Sequence, residues 1–396
     1  MRYFTADYIF PVSSEPIKDS VLIVDDFGEV KEISPLSKVK NPKGEIEYYK
    51  GILCPGFVNA HCHLELSYLK NKLKAKTGLT GFITQVLKNR FSYSKEEIDE
   101  AIIIAEQEMI KNGIVAVGDI SNTENTFDFK AEKKLTYHTF VEVLEISPLK
   151  AEDAMVNARR IKRGAKDLKL AASIVPHAAY TVSEKLLKLI NEDAEKNKGI
   201  ISIHNQESET ESELFIFGTG EMYETFKAMG VHMDFMRVTE KNSLQSTMRF
   251  LKGARKILLV HNTYTSAKDI KWLKSEIRDK NCELYFCTCP NANMFIENKL
   301  PDYNLFMEEQ LDVTIGTDSL ASNYTLSILD ELKTIIKHYP EIPLQTLLTW
   351  ATKNGADFFD FELLGSFDAG KTPGINLLKN VDGMKITPGT EVERLL

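Results

Sequence analysis

Eight short apolar runs recur through the middle of the chain, at 56–60, 114–120, 136–144, 168–175, 199–203, 256–260, 283–286 and 312–315. Between several of them, apolar positions return at helical spacing. Ser94 and Glu97 form a capping-box pattern ahead of a helix over 98–109. Further helical patterns cover 182–190 and 323–336. Strands apolar along most of their length belong to parallel sheets covered by helices on their faces. Eight strand–helix units predict an α/β fold of the TIM-like (β/α)8 barrel type over 56–360. A doubly wound open sheet is the structural alternative, weakened because no G-x-G-x-x-G follows the first strand.

The two ends of the chain read differently. Residues 1–55 carry short β-rich runs, with Asp25 to Gly28 turning the chain back. The same style resumes at 363–370, 373–378 and 392–396. Segments 1–55 plus 361–396 therefore predict one small β-sandwich domain built from both termini. Two stretches, 70–90 and 207–251, exceed ordinary loops, and such insertions commonly shape a pocket. For the second, the methionines Met222, Met229, Met233, Met236 and Met248 read as core filler in helices packed outside the barrel.

Composition narrows the setting. The chain has 396 residues, 43% hydrophobic and 27% charged, enough for a large core. A net charge of -8 argues against a nucleic-acid binder, though not against a nucleobase or nucleoside as substrate. No stretch has the length of a membrane span, and the first residues lack a signal-peptide pattern. Cys54, Cys62, Cys282, Cys287 and Cys289 form no even framework, which fits a reducing cytoplasm. Cys287 and Cys289 read as strand-buried side chains rather than a metal pair.

The candidate chemistry lies where the apolar runs end. Five of the eight histidines sit there: His61 and His63 after the first, His177 after the fourth, His204 after the fifth and His261 after the sixth. Asp318 follows the eighth. Polar side chains at strand ends are explained by a metal site at one barrel mouth. His61 and His63 are two apart, so strand geometry sends both to one face. With His204 and Asp318 they make a set of three imidazoles and a carboxylate for one divalent ion, Zn²⁺ foremost, with Fe²⁺ also suited. Such an ion would produce hydroxide at neutral pH, with Asp318 accepting a hydrogen bond from it. Glu207, three residues beyond His204, is placed for proton transfer to a substrate ring nitrogen. His261 would handle the attacking hydroxide, and His177 would contact substrate. His138, His232 and His338 receive no role.

At these residues the chain resembles the amidohydrolase superfamily along nearly its full length. The stretch PGFVNAHCHLE (55–65) resembles the opening metal motif, PHAAYTVS (176–183) the fourth-strand motif, HNQE (204–207) the His-x-x-Glu, and GTDSLASN (316–323) the last metal motif. LLGSFDAGK (363–371) resembles the return into the small sandwich. Carried over by motif, His61, His63, His204 and Asp318 match metal ligands. Glu207 and His261 match the groups that handle protons and water, and His177 matches a substrate contact. The fourth strand delivers no lysine, which implies the one-metal branch of deaminases and chlorohydrolases. HNTYTS (261–266), CTCPNAN (287–293) and the run 317–332 resemble aminodeoxyfutalosine deaminases of menaquinone biosynthesis, although Ala292 stands where that family more often has Ser.

The resemblance implies deamination of an amino-substituted heterocycle or nucleoside, with 6-amino-6-deoxyfutalosine as the best candidate, and suggests a homodimer. A metal-bound hydroxide would attack the carbon bearing the amine, and ammonia would leave. The distal carboxylate of such a substrate needs a partner. Lys70, Lys72, Lys74 and Lys76 lie on the first long loop, but nothing in the sequence selects one. Alternatives are a guanine, adenosine or cytosine deaminase, a triazine chlorohydrolase, an imidazolonepropionase-like ring hydrolase, or an inactive metal-binding protein.

Overall fold

The computed structural model describes residues 1–40, 42, 44–277 and 282–396. All eight expected strands are present: β1 (Phe57–Cys62), β2 (Ile114–Ser121), β3 (Thr136–Val143), β4 (Ala171–Pro176), β5 (Ile200–Asn205), β6 (Lys256–His261), β7 (Glu283–Thr288) and β8 (Asp312–Ile315). They form two parallel four-stranded sheets, β1 to β4 and β5 to β8, each in chain order. Burial on both faces accounts for the continuous apolar runs. On β6, Ile257 and Leu259 pack outward against the helices, while Leu258 and Val260 join Phe140, Val175, Phe358 and Phe359 in a separate core cluster. Each such side chain, fully buried, is worth about 1.5–3 kcal/mol.

The two sheets close into a ring at two seams, and both are joined by backbone contacts at the C-terminal ends of the strands. At the first, Cys62 bridges to Asp318, and the N–H groups of Thr317 and Asp318 both donate to His61 O at 3.0 Å. At the second, Ala178 bridges to His204, whose N–H donates to His177 O at 2.9 Å. Gly316 is required by the first seam: a Cβ there would lie 2.8 Å from His61 Cβ and 2.9 Å from His61 O.

Both chain ends build the small sandwich. One sheet holds Arg2–Thr5, Ser20–Val24, Val30–Pro35 and Ile46–Tyr48. The other pairs Tyr8–Ile9 and Ile52–Pro55 with Ile375–Lys379 and Glu391–Arg394 from the far terminus. Phe4, Leu22, Leu53, Phe367 and Leu377 fill the space between them.

The helices depart from expectation at their starts. The Ser94 capping box is present and opens Lys95–Lys111. The second helix begins at Glu184, capped by the Ser183 side chain, and runs to Asn197. The expected helix over 323–336 begins only at Ile328, because the Asn323 side chain is engaged with Thr317 O and Glu331 instead. The stretch 363–370 is a loop, not a strand, bonded to the sandwich through Phe367 N–H to Pro11 O and Gly370 N–H to Val30 O. The two long insertions hold helices Gly78–Asn89, Glu209–Phe217, Glu221–Ala228 and Ser243–Met248. Met222, Met233 and Met248 are buried in apolar clusters, as core filler would be, but Met229 lines the catalytic-end cavity. All five cysteines are buried and unpaired. Among the described residues, no helix is long and apolar enough to cross a membrane.

Candidate metal and catalytic site

The structure brings His61, His63, His177, His204, Glu207, His261 and Asp318 to one end of the barrel. His61 is the penultimate residue of β1. His63 lies just past it and still turns to the same point, its Nε2 3.1 Å from His61 Nε2. His204 on β5 meets them from across the barrel, 3.2 Å from His63 Nε2. Asp318 Oδ1 lies 3.4 Å from His63 Nε2 and 3.7 Å from His61 Nε2. Several side chains here are aimed by left-handed backbone at non-glycine residues: Gln206 (φ 44°), His261 (φ 73°), Asn262 (φ 57°) and Asp318 (φ 56°). Such conformations cost about 1–3 kcal/mol each and persist where the surrounding fold enforces them.

The donor set fits a divalent cation. His204 Nδ1 is 2.8 Å from the carbonyl of His177 and therefore donates to it, leaving the Nε2 lone pair facing His61 and His63. Ligands about 2.0–2.1 Å from one tetrahedral ion are separated by just over 3 Å, close to the spacing of these nitrogens. Ser322 Oγ donates to Asp318 Oδ2 at 2.5 Å and turns the other oxygen toward the histidines. His61, His63, His204 and Asp318 thus form a mononuclear divalent-metal site of three histidines and one aspartate.

Burial sets the protonation states. It lowers His63 and His177 to about 3, with neighbouring imidazoles acting in the same direction, and lowers His204 well below the usual range. These rings are neutral at pH 7. Burial also opposes ionisation of Asp318, but His61, His63 and His261 outweigh it and hold the carboxyl below its ordinary value. Glu207 is the opposite case. Burial, then repulsion from Asp318 and Glu297, holds it well above the carboxylate range.

Glu207 and His261 face each other across 3.6 Å. His261 Nδ1 lies 2.8 Å from Asn293 Oδ1 and donates to it, which leaves Nε2 as an acceptor on the Glu207 side. Glu211 fixes Glu207 from behind: its Oε1 accepts the N–H of Glu207 (2.7 Å) and of Ser208 (3.2 Å) in a capping box. His177 Nδ1 pairs with Thr181 Oγ1 at 2.8 Å, and its ring lines the cavity.

Several positioning side chains were not singled out in the sequence. Ser208-x-x-Glu211 carries the capping-box signature and was readable. Glu142, on β3, obeys the same strand-end rule as the histidines. Its Oε1 lies 3.6 Å from His204 Nδ1 and has no hydrogen-bond partner, while Oε2 accepts from Asn122 Nδ2 at 2.9 Å. Asn293 and Ser322 had no signal beyond the motifs that contain them.

The site opens into a cavity of about 410 Å³. Its floor is polar: His63, His177, His204, Glu207, His261 and Asp318. Its roof is apolar and comes from both insertions, with Leu79, Phe82, Ile83 and Val86 on one side and Phe226 and Met229 on the other. A flat ring lying on that floor would be shielded from water while its edge met the acid and the histidines.

The profile described as "Amidohydrolase family" matches residues 52–392. A Helicobacter pylori protein named adenosine deaminase is 28% identical over 86% of this chain and 83% of its own length. An aminodeoxyfutalosine deaminase of Nitratiruptor is 25% identical over 89% of this chain and 87% of its own. Among solved structures, Helicobacter pylori aminofutalosine deaminase in complex with methylthio-coformycin superposes with a TM-score of 0.82 at 25% identity, covering 98% of this chain and 94% of that one.

Proposed function

From the premise that this chain belongs to the amidohydrolase superfamily, in its deaminase and chlorohydrolase branch, and is a metal-dependent aminohydrolase, we propose that its substrate is an amino-substituted purine nucleoside, with 6-amino-6-deoxyfutalosine favoured. The observation that carries this reading is Glu207, whose burial favours its protonated form, facing the His261 imidazole at 3.6 Å beside a four-residue ligand set. The favoured substrate is supported by the names of the Nitratiruptor relative and of the superposed structure.

His61, His63, His204 and Asp318 would hold the ion, and the nitrogen-rich set suits Zn²⁺. That ion would supply Lewis acidity and lower the pKa of a water at the site. Glu207, held toward its protonated form by burial and by Asp318 and Glu297, donates to a ring nitrogen next to the carbon bearing the amine. His261 Nε2 accepts a hydrogen bond from the attacking water. His177 contacts the ring from the β4 side. As the carbon–nitrogen bond breaks, a proton passes to the leaving amine, and ammonia departs. The balance is one water consumed, one amine replaced by a carbonyl and one ammonia released.

The test measures ammonia release from amino-deoxyfutalosine, adenosine, guanine and cytosine, alongside metal content. Glu207→Gln should keep one metal per chain and lose about 10²–10⁴-fold in turnover. Equal turnover would remove Glu207 from the mechanism. Rapid release from adenosine and none from amino-deoxyfutalosine would transfer the substrate to the activity named for the Helicobacter relative.

A further inference from the structure

Among the described residues, one Lys or Arg side chain lines the catalytic cavity, and it is none of the four loop lysines. Lys70 is paired with Glu108 at 2.8 Å, and Lys72, Lys74 and Lys76 are exposed away from the cavity lining. The cation is Arg90. It caps the C-terminus of Gly78–Asn89, the helix that supplies much of the apolar roof, through its N–H to Val86 O. Its carbonyl is tied down by the Tyr68 hydroxyl at 3.1 Å. The backbone at this residue is therefore fixed at one end of the cavity.

A polar wall leads to it from the metal-ligand set. His204 Nδ1 lies 3.6 Å from Glu142, Glu142 accepts from Asn122 at 2.9 Å, and Asn122 Oδ1 accepts from Arg90 Nη2 at 3.4 Å. Among the described residues, that long contact is the one hydrogen bond this guanidinium makes with its five N–H groups. The nearest carboxylate, Glu65, stands 3.8 Å away and is already served by the N–H groups of Asn122 and Thr123 and by the Thr123 hydroxyl. An arginine at the end of an apolar cavity, with donors to spare, matches a planar carboxylate.

We propose that Arg90 selects the substrate by binding a carboxylate at the end remote from the reacting amine. Resting on the nucleoside-deaminase reading, this divides the cavity by chemistry. The metal-ligand end takes the amino-purine edge, the roof takes apolar surface, and Arg90 takes an anionic tip. A nucleoside without that tip leaves Arg90 with only the long contacts to Asn122 and Glu65.

The experiment compares an amino-purine nucleoside bearing a carboxylate-tipped 5′ arm with its methyl ester, and adenosine serves as the reference. The parent enzyme should prefer acid to ester by about 10- to 100-fold in kcat/KM, carried by KM. In Arg90→Leu the preference should fall to within about threefold. Arg90→Lys, which keeps the charge but not the fork, should retain part of it and remains informative if the leucine variant fails to fold. A parent enzyme that treats acid and ester alike overturns the assignment, as does a preference that survives in Arg90→Leu. Either result leaves nucleoside deamination standing. Release of ammonia from none of the three overturns the deaminase reading and this assignment with it.

Discussion

Beneath the paired histidines lies an ion pair shut off from water. Lys130 Nζ is 2.6 Å from Asp119 Oδ2, and both side chains have 0% exposure. The ammonium also donates to Ser121 Oγ (3.0 Å) and Thr139 Oγ1 (3.2 Å). Asp119 Oδ1 accepts the N–H of Leu64 at 2.8 Å, which fixes the chain immediately after His63. Lys130→Met keeps an apolar stem and removes the ammonium, which lies 5.6 Å from the Phe127 ring centre and 5.7 Å from that of Tyr137. Asp119 then stays buried with an uncompensated charge, at a cost of about 3–5 kcal/mol. With a urea m-value of about 3 kcal/mol/M, the midpoint should fall by roughly 1–1.7 M. Asp119→Asn combined with Lys130→Met makes the site neutral and leaves an amide oxygen for Leu64. The double variant should recover at least about 2 kcal/mol relative to the sum of the single changes. Chelator competition on Asp119→Ala, which frees Leu64, should show metal binding weakened about 10–100-fold. Strict additivity in the unfolding cycle would refute the claim that the charges are coupled. Unchanged metal affinity would refute the claim that Asp119 positions His63.

Gly316→Ala places a methyl group against His61 and should cost about 1–3 kcal/mol by chemical denaturation, with loss of bound metal. Gly199→Ala meets nothing nearer than 3.5 Å and should stay within about 0.5 kcal/mol; equal effects at both positions would contradict the close-approach argument. Burial, with Glu207 adding to it, raises Glu211 to about 8, so the folded protein keeps a proton there that the unfolded chain gives up near 4.5. The associated stability is complete below about pH 4.5 and is lost as pH rises toward 8, by about 1.4 kcal/mol per unit at most. Glu211→Gln should flatten that part of the thermal-stability profile, and an unchanged slope between pH 5 and 8 would refute the assignment.

The barrel was legible because its strands are buried on both faces, so their apolar runs stand out without any knowledge of neighbours. The metal-ligand set was legible because each run ends in a residue that packing does not call for. Applied to acids as well as histidines, the same rule marks Glu142 at the end of β3. Arg90 could not be found this way. It sits at a helix end within an insertion, and its importance depends on Asn122 and Glu142 arriving from two different strands. The premature helix at 323–327 has a local cause: periodicity there is helical, but the Asn323 side chain is claimed by Thr317 and Glu331. Ser94 and Ser183 show the converse, short polar signals that the tertiary structure leaves in force.

The two seams give the barrel a division of labour along its sequence. Residues 57–176 form one half of the ring and 200–315 the other, each continuous in the chain. His61 and His63 come from the first half, His204 from the second, and Asp318 from the turn that follows it. Neither half carries enough ligands to build the centre alone. Capture of the ion therefore counts assembled molecules. A chain cut between β4 and β5 would regain its metal only when the two pieces had found each other in register, making the bound ion a gauge of folding as well as a tool of chemistry.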